Sequence, residues 1–366
     1  LKWFGIDLFD KFRVNQKKFK NQPQRSFNQP KHGTLDFSIS LMKIKYPFLL
    51  FNLIGAEESM STKYAIALDV GGTSIKSAIV AENGTVVAES VRQTPVNSKG
   101  SYNEIISTFI EPLAFSFDYA EKNGLSIVGI GLGIPGPFDF VKGVSLIQGV
   151  DKYEAIFGVN LRETFRERLH LPGKFPIYFE MDAWTFVRGE AWLGAGKGFH
   201  RIIGITLGTG MGSGFIVGEE IVTDGPGVPP IGWIGGLPFG NGILDDRISR
   251  RGIIQRYLEM CHPAENKIDV KDIAERAQAG DPCAIHTFQE TGKIIGEKTS
   301  PLAQAFGAEC VIIGGQISKS CQLFMPAIEE QFAANQVTAR LVPAADIAHS
   351  AILGASRFLF RKIAAE

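Results

Sequence analysis

Three glycine-rich turns and one carboxylate are the residues of this sequence best suited to chemistry. The first turn is Asp69-Val70-Gly71-Gly72-Thr73-Ser74-Ile75-Lys76, and the second is Leu207-Gly208-Thr209-Gly210-Met211-Gly212-Ser213-Gly214. The third is Val311-Ile312-Ile313-Gly314-Gly315-Gln316-Ile317. Adjacent glycines let backbone amides approach an anion, and Thr73 adds a hydroxyl donor. An aspartate at a strand end, such as Asp69, can hold a hydrated Mg2+ through water. Four glycines within residues 208–214 make a poor hairpin unless the backbone must hug something. A strand that ends in Gly314-Gly315 offers a flat surface on which a nucleotide can lie. The carboxylate is Asp182, in Glu180-Met181-Asp182-Ala183, where a strand ends and a helix begins. Phosphoryl transfer to a hydroxyl needs such a base within hydrogen-bond reach, and donors around the moving group. The plain alternatives are a structural hairpin for each turn and an N-cap for the aspartate.

Two better-known phosphate motifs fail on inspection. Around Lys197, a P-loop would need Gly where Ala191 stands and Ser or Thr where Gly198 stands. Gly131-Leu132-Gly133-Ile134-Pro135-Gly136 has dinucleotide-binding spacing, but Pro137-Phe138-Asp139-Phe140 follows it rather than a helix.

The elements that must position these residues are legible from periodicity. Strands are expected over Tyr64–Val70, Ser74–Val80 and Thr85–Val91, with a hairpin turn at Asn83-Gly84. Residues 102–122 carry apolar residues at helical spacing: Ile105, Ile106, Phe109, Ile110 and Leu113. Strands follow at Ile127–Leu132 and Pro176–Phe179, a helix after Asp182, and strands at Arg201–Leu207 and Gly214–Val217. The rest is mostly helical, interrupted by a strand over Glu309–Ile313 and including a helix that starts at Asp281-Pro282. The plan starts over near Ile202, which predicts two α/β domains joined near residue 182.

Composition bounds the function. The 366 residues are 45% apolar and 21% charged, a globular balance with room for two or three domains. Lys plus Arg and Asp plus Glu number 38 each, which leaves no chain-wide basic footprint for nucleic acid. Residues 1–59 hold ten basic and five acidic residues, and residues 60–366 hold 28 and 33, so a basic leader precedes a mildly acidic body. No run of ~18 apolar residues is present, so no membrane span is expected. Cys261, Cys283, Cys310 and Cys321 form no C-x-x-C pair, which argues against a zinc clip and a dense disulfide framework and fits free thiols in a reducing compartment.

Residues 1–61 are expected to be an irregular basic extension from a mis-assigned start, because Met60-Ser61-Thr62-Lys63 stands where a natural start would. A partner or peripheral-membrane segment is one alternative. Another is a secretion signal read from Met42 through Tyr46–Ile54. The segment lacks the two periodic helices of a helix-turn-helix module.

In the order of its turns the chain resembles the ROK family of bacterial sugar kinases, repressors and related open reading frames, over roughly residues 62–366. The resemblance implies two ribonuclease H-like domains around a central cleft, the actin-like ATPase fold. The expected domains are residues 62–181 with 350–366, and residues 182–349. It further implies that Asp69, Gly71, Gly72, Thr73, Gly208, Thr209, Gly210 and Gly212 bind ATP phosphates, with Mg2+ held by Asp69 through water. Gly314 and Gly315 would lie beside adenosine, and Asp182 would be the catalytic base toward a hexose. Substrate contacts are expected at Gly133, Pro135, Glu180, Asp182, Trp233 and Asp245.

Departures from the family pattern cluster at the sugar. Met181 stands for an Asn that bonds the sugar. The usual Gly-Glu-Ile-Gly-His is here Pro229-Pro230-Ile231-Gly232-Trp233. Proline has no donor and an indole only donates, so Trp233 is expected either to stack on a pyranose face or to act as a core or hinge residue. The zinc-binding cysteine cluster is replaced by Gly236-Leu237-Pro238-Phe239-Gly240-Asn241-Gly242, so no structural zinc is expected. Asp151-Lys152-Tyr153 lies where the family's sugar loop would be. Asp246, Arg247, Arg250 and Arg251 are either phosphate contacts or a solvated helix face.

The expected function is a cytoplasmic, ATP-dependent, glucokinase-like hexose kinase. By resemblance it would be a homodimer, with no nucleic-acid or membrane partner. The alternatives are a non-catalytic sugar- or nucleotide-binding regulator of the same fold, and a polyphosphate-dependent glucokinase.

Overall fold

Apolar strands that end in glycine or aspartate set the architecture. The computed structural model describes residues 62–150, 152–263 and 267–366, so the expectations for residues 1–61 and for Asp151 lie outside the described residues. Lys63–Val70 (β1) and Ser74–Ala81 (β2) are mostly buried and form an antiparallel hairpin through Gly71-Gly72-Thr73. Asn83-Gly84 makes the expected turn, with Gly84 at φ +90° and Asn83 Oδ1 accepting from the Thr85 amide at 2.9 Å.

The strand expected over Thr85–Val91 is absent. Val86 makes an isolated bridge to Val80, Ala88–Ser90 is a 3-10 turn, and the third strand is Arg92–Pro95 (β3). The Ser90 hydroxyl explains the shift: it accepts from the Ile79 amide at 2.8 Å and donates to the Val87 carbonyl at 2.6 Å. A serine side chain thereby replaces a ladder partner, a local competition that apolar alternation does not reveal.

Tyr102–Asn123 (α1) begins at a capping box between Ser101 and Glu104 and buries Ile105, Ile106, Phe109 and Leu113. Ser126–Ile134 (β4), Leu161–Leu169 (α2) and Ile177–Met181 (β5) complete the first lobe. Its sheet runs β3-β2-β1-β4-β5, with β4 parallel to β1 and β5 parallel to β4. Asp182–Leu193 (α3) leads out of it.

The second sheet repeats the plan. Arg201–Leu207 (β6), Met211–Val217 (β7) and Glu220–Val222 (β8) form an antiparallel meander. Asp245–Ile248 (α4), Arg250–Cys261 (α5), Val270–Gln278 (α6) and Pro282–Phe306 (α7) follow, with Asp281 capping α7 as expected. Cys310–Gly314 (β9), Met325–Ala334 (α8) and Arg340–Pro343 (β10) complete the order β8-β7-β6-β9-β10, with β9 parallel to both β6 and β10.

Ser350–Ala365 (α9) returns to pack on β1, β4 and α3, and α3 in turn packs on β6 and β7. The α3–α9 crossing is backbone to backbone. A Cβ on Gly354 would lie 1.7 Å from the Thr185 carbonyl oxygen, and one on Gly189 would lie 1.8 Å from that of Ser350. Helix α3 therefore stands between the two sheets.

Not all the cysteines remain thiols. Cys261 and Cys283 form a disulfide, which overturns the reading of four free thiols. They are 22 residues apart, but α5 and α7 pack side by side and bring the end of one to the start of the other. Cys310 and Cys321 are free. Among the described residues no helix is long and apolar enough to cross a membrane, and no group of three or more His, Cys, Asp or Glu is placed to hold a metal ion.

Candidate active site

Each phosphate-type turn is tied to the protein at some of its groups and leaves two amides open. In the first, the Gly71 amide donates to the Ser74 carbonyl at 3.0 Å. The Gly71 carbonyl accepts from Tyr153 Oη at 2.5 Å, and that of Thr73 from the Val96 amide at 3.0 Å. Among the described residues no protein acceptor meets the amides of Gly72 or Thr73. In the second, the Gly208 amide donates to the Gly210 carbonyl at 3.0 Å and the Met211 amide to Asp245 Oδ1. The amides of Thr209 and Gly210 likewise meet no acceptor among the described residues. A Cβ on Gly72 would meet nothing within 4 Å, and one on Gly208 only the Gly210 carbonyl oxygen at 4.0 Å. Protein packing does not demand glycine at these two positions. What glycine provides there is open space in front of unpaired amides, the surface an anion uses.

The third turn differs. Gly315 has φ +81°, and its Cβ would lie 2.3 Å from the Leu207 carbonyl oxygen. Glycine is required here to bring the end of β9 against the end of β6, beside the second turn. The Gly314 position is filled by the Phe186 ring, at 2.3 Å from where a Cβ would be.

Asp182 sits where these parts meet. It is the first residue of α3, and Met181 occupies the N-cap position with no capping side chain. The Asp182 carboxylate accepts from the Ala183 amide at 2.8 Å. The second turn packs on the same helical turn, since a Cβ on Gly212 would lie 2.9 Å from Ala183 Cβ. Burial pushes the Asp182 carboxyl above the usual aspartate range, against the pull of the Ala183 amide and the Lys152 charge. Asp69, at the end of β1, is pushed up to about 6, chiefly by burial, with Lys76 opposing and Asp182 adding to the rise. The Asp182 charge reaches Asp69, so the two carboxylates lie within electrostatic range. The Lys152 charge pulls both Asp182 and Asp245 downward against the effect of burial. A half-buried hard oxygen donor at the first turn, beside a second carboxylate, suits a hydrated Mg2+ carried by a nucleotide; Asp69 would be the residue that holds it.

The expected substrate residues divide. Glu180 is removed from the set. It lies in register with Gly133 on β4 and faces α3, where Arg188 takes both of its oxygens at 2.7 and 3.0 Å. Both side chains are 5% exposed, and Arg188 also donates to the Glu219 carbonyl at 2.6 Å. The signal in the sequence was a Glu and an Arg eight residues apart in apolar surroundings. Gly133 and Pro135 are buried, and Gly133 is a seat for α3, since a Cβ would lie 2.5 Å from Thr185 Oγ1.

Trp233 is 37% exposed, but its Nε1 donates to the Met211 carbonyl at 2.8 Å. Asp245 takes the amide of that same Met211 and pairs with Arg251 at 2.8 Å. Both residues therefore clamp the second turn, leaving Trp233 a ring face and Asp245 spare lone pairs. Arg251 also pairs with Asp246, and Arg250 with Asp269, so these arginines serve the protein's own carboxylates. The tie between Tyr153 and Gly71 went unread, because 82 residues separate the partners.

Two sheets of one plan, packed on either side of α3 with open phosphate-type turns converging on a carboxylate, define a protein with two ribonuclease H-like domains around a cleft, the actin-like ATPase fold. Within that class the chain belongs to the ROK family, whose sequence model matches residues 65–362. It is similar to a glucokinase of Halalkalibacterium halodurans, 27% identical over 296 residues that cover 75% of this chain and 87% of the relative. It is also similar to a xylose repressor of Bacillus subtilis, 21% identical over 274 residues that cover 73% and 68%. Among solved structures it is similar to a ROK family glucokinase from Streptomyces griseus in complex with glucose and AMPPNP. That likeness has a TM-score of 0.66 and 23% identity, and covers 81% of this chain and 99% of the other.

Proposed function

We propose that this sugar kinase transfers the γ-phosphoryl group of ATP to a hexose hydroxyl, with Asp182 as general base. The observation that carries the reading is the Asp182 carboxylate at the start of α3, beside two turns that each leave two amides without a protein acceptor among the described residues. The open amides of Gly72, Thr73, Thr209 and Gly210 bind the phosphates, and the Thr73 hydroxyl adds a donor. The adenosine lies beside Gly315, at the half-buried end of β9 next to the second turn. Asp69 holds Mg2+ through water; when bound, the ion neutralises phosphate charge.

The proton path follows. The acceptor hydroxyl donates to Asp182, its oxygen attacks the γ-phosphorus, and the bond to ADP breaks, leaving the proton on Asp182. Burial that raises the Asp182 pKa makes it a stronger base than a solvated aspartate. The Trp233 ring face, Asp245 and Lys152 remain for the sugar. Closure of residues 62–181 with 350–366 onto 182–349, taken as the two domains, expels water from the site. The protein works in the cytoplasm, where ATP is supplied, as a homodimer.

A second reading is favoured by one observation. Trp233 and Asp245 spend their bonds on Met211, as suits a binding protein that no longer grips its sugar for turnover. A coupled ADP-release assay with MgATP over hexoses, amino sugars and ketoses separates the two. Saturable turnover on at least one sugar is expected. Saturable sugar binding without turnover on any would establish the regulator. Turnover with polyphosphate but not with ATP would reassign the donor.

A further inference from the structure

Tyr153 occupies a costly backbone conformation. Its φ is +56°, in the left-handed region that bulky residues avoid, although glycine at such a position carries no penalty. The side chain is 1% exposed and packs on Phe109, with ring centroids 6.3 Å apart. Its hydroxyl emerges from this apolar setting at one atom, the Gly71 carbonyl oxygen, at 2.5 Å. The Tyr153 amide donates to the Ser98 carbonyl at 2.5 Å, and the Val96 amide to that of Thr73 at 3.0 Å. The first turn, the segment 96–98 and the loop around residue 153 are thus laced into a closed ring. Burial and the neighbouring Asp69 charge hold the phenol above its usual pKa, so it remains a donor.

We propose that Tyr153 is a positioning residue for the phosphate turn: by holding the Gly71 carbonyl from behind, it keeps the Gly72 and Thr73 amides aimed outward. The same loop carries Lys152, whose charge reaches Asp182 and Asp245, so one short segment sets both the donor turn and the charge facing the acceptor side. A peptide with its carbonyl pinned cannot flip, and its neighbouring amides are preorganised for an anion. Without the phenol, the Gly71 carbonyl loses its partner and the turn samples orientations that do not bind phosphate.

This inference rests on the nucleotide reading of the first turn, and the test separates the two. Tyr153→Phe keeps the ring and deletes only the donor. Tyr257→Phe serves as control, because Tyr257 is also buried and hydrogen-bonded, to Arg276 in the second lobe. AMPPNP binding is measured by calorimetry on both variants and the parent, and ATP kinetics on whichever sugar the parent turns over. Tyr153→Phe is expected to weaken AMPPNP binding roughly 5–10-fold and to raise the ATP KM by a similar factor. The kcat and the Tm should stay close to those of Tyr257→Phe. Equal AMPPNP affinity in parent and Tyr153→Phe, or equal losses in the two variants, would overturn the proposal. A parent that does not bind AMPPNP at all would overturn the nucleotide reading instead.

Discussion

Gly72 and Asp69 sit three residues apart and answer to different forces. At Gly72 no neighbour fills the Cβ position and φ lies outside the left-handed region, so alanine fits the fold. Gly72→Ala is expected to leave Tm unchanged or slightly raised, because alanine lowers the entropy of the unfolded chain. It should raise the ATP KM roughly tenfold or more by crowding the open amides. Thermal melts and initial rates on the same preparation check both. Asp69 carries a penalty of its own. Its folded pKa of about 6 exceeds the unfolded value of 3.8, so its contribution to stability is complete below about pH 4 and is lost as pH rises through about 6. Asp69→Asn should therefore melt above the parent at pH 7.5, by about 1–3 kcal/mol of added stability, and the advantage should vanish near pH 4. Melting curves at pH 4, 6 and 7.5 test the sign.

At the scale of elements, α3 does the joining. Its first residue is Asp182, its Thr185 packs against Gly133, and its Arg188 binds Glu180 on β5 and the Glu219 carbonyl in the β7–β8 turn. The buried pair fixes the angle at which the helix presents Asp182. Glu180→Gln leaves the Arg188 guanidinium buried without its carboxylate partner, and should cost about 3–5 kcal/mol. Denaturant unfolding would read this as a lower midpoint at unchanged slope. Alternation and glycine punctuation made β1, β2, β4, β6 and the course of α1 legible in the sequence. β3 was misplaced because Ser90 substitutes a hydroxyl for a ladder partner. Glu180 was assigned to the substrate by resemblance, although Arg188, eight residues on in the adjoining helix, takes both of its oxygens.

Across the whole molecule, the repeat of one strand order in two sheets was visible as a sequence plan that starts over near Ile202. The position of Asp182 against the two turns follows from that repeat. Contacts between distant segments were not visible: Tyr153 with Gly71, Cys261 with Cys283, and Trp233 and Asp245 on either side of Met211. Each depends on loops whose course the secondary-structure pattern leaves open. The duplicated fold brings the first turn of one lobe and the hairpin of the other beside the start of α3, so the central claim is that phosphoryl transfer depends on Asp182. The most direct measurement is Asp182→Asn assayed for ADP release on the parent's preferred sugar, with AMPPNP affinity determined in parallel. The amide is close in size and removes the base, so turnover should fall at least ~10²-fold while nucleotide affinity stays near the parent's. An Asp182→Asn protein that phosphorylates the sugar at the parent rate would contradict the account.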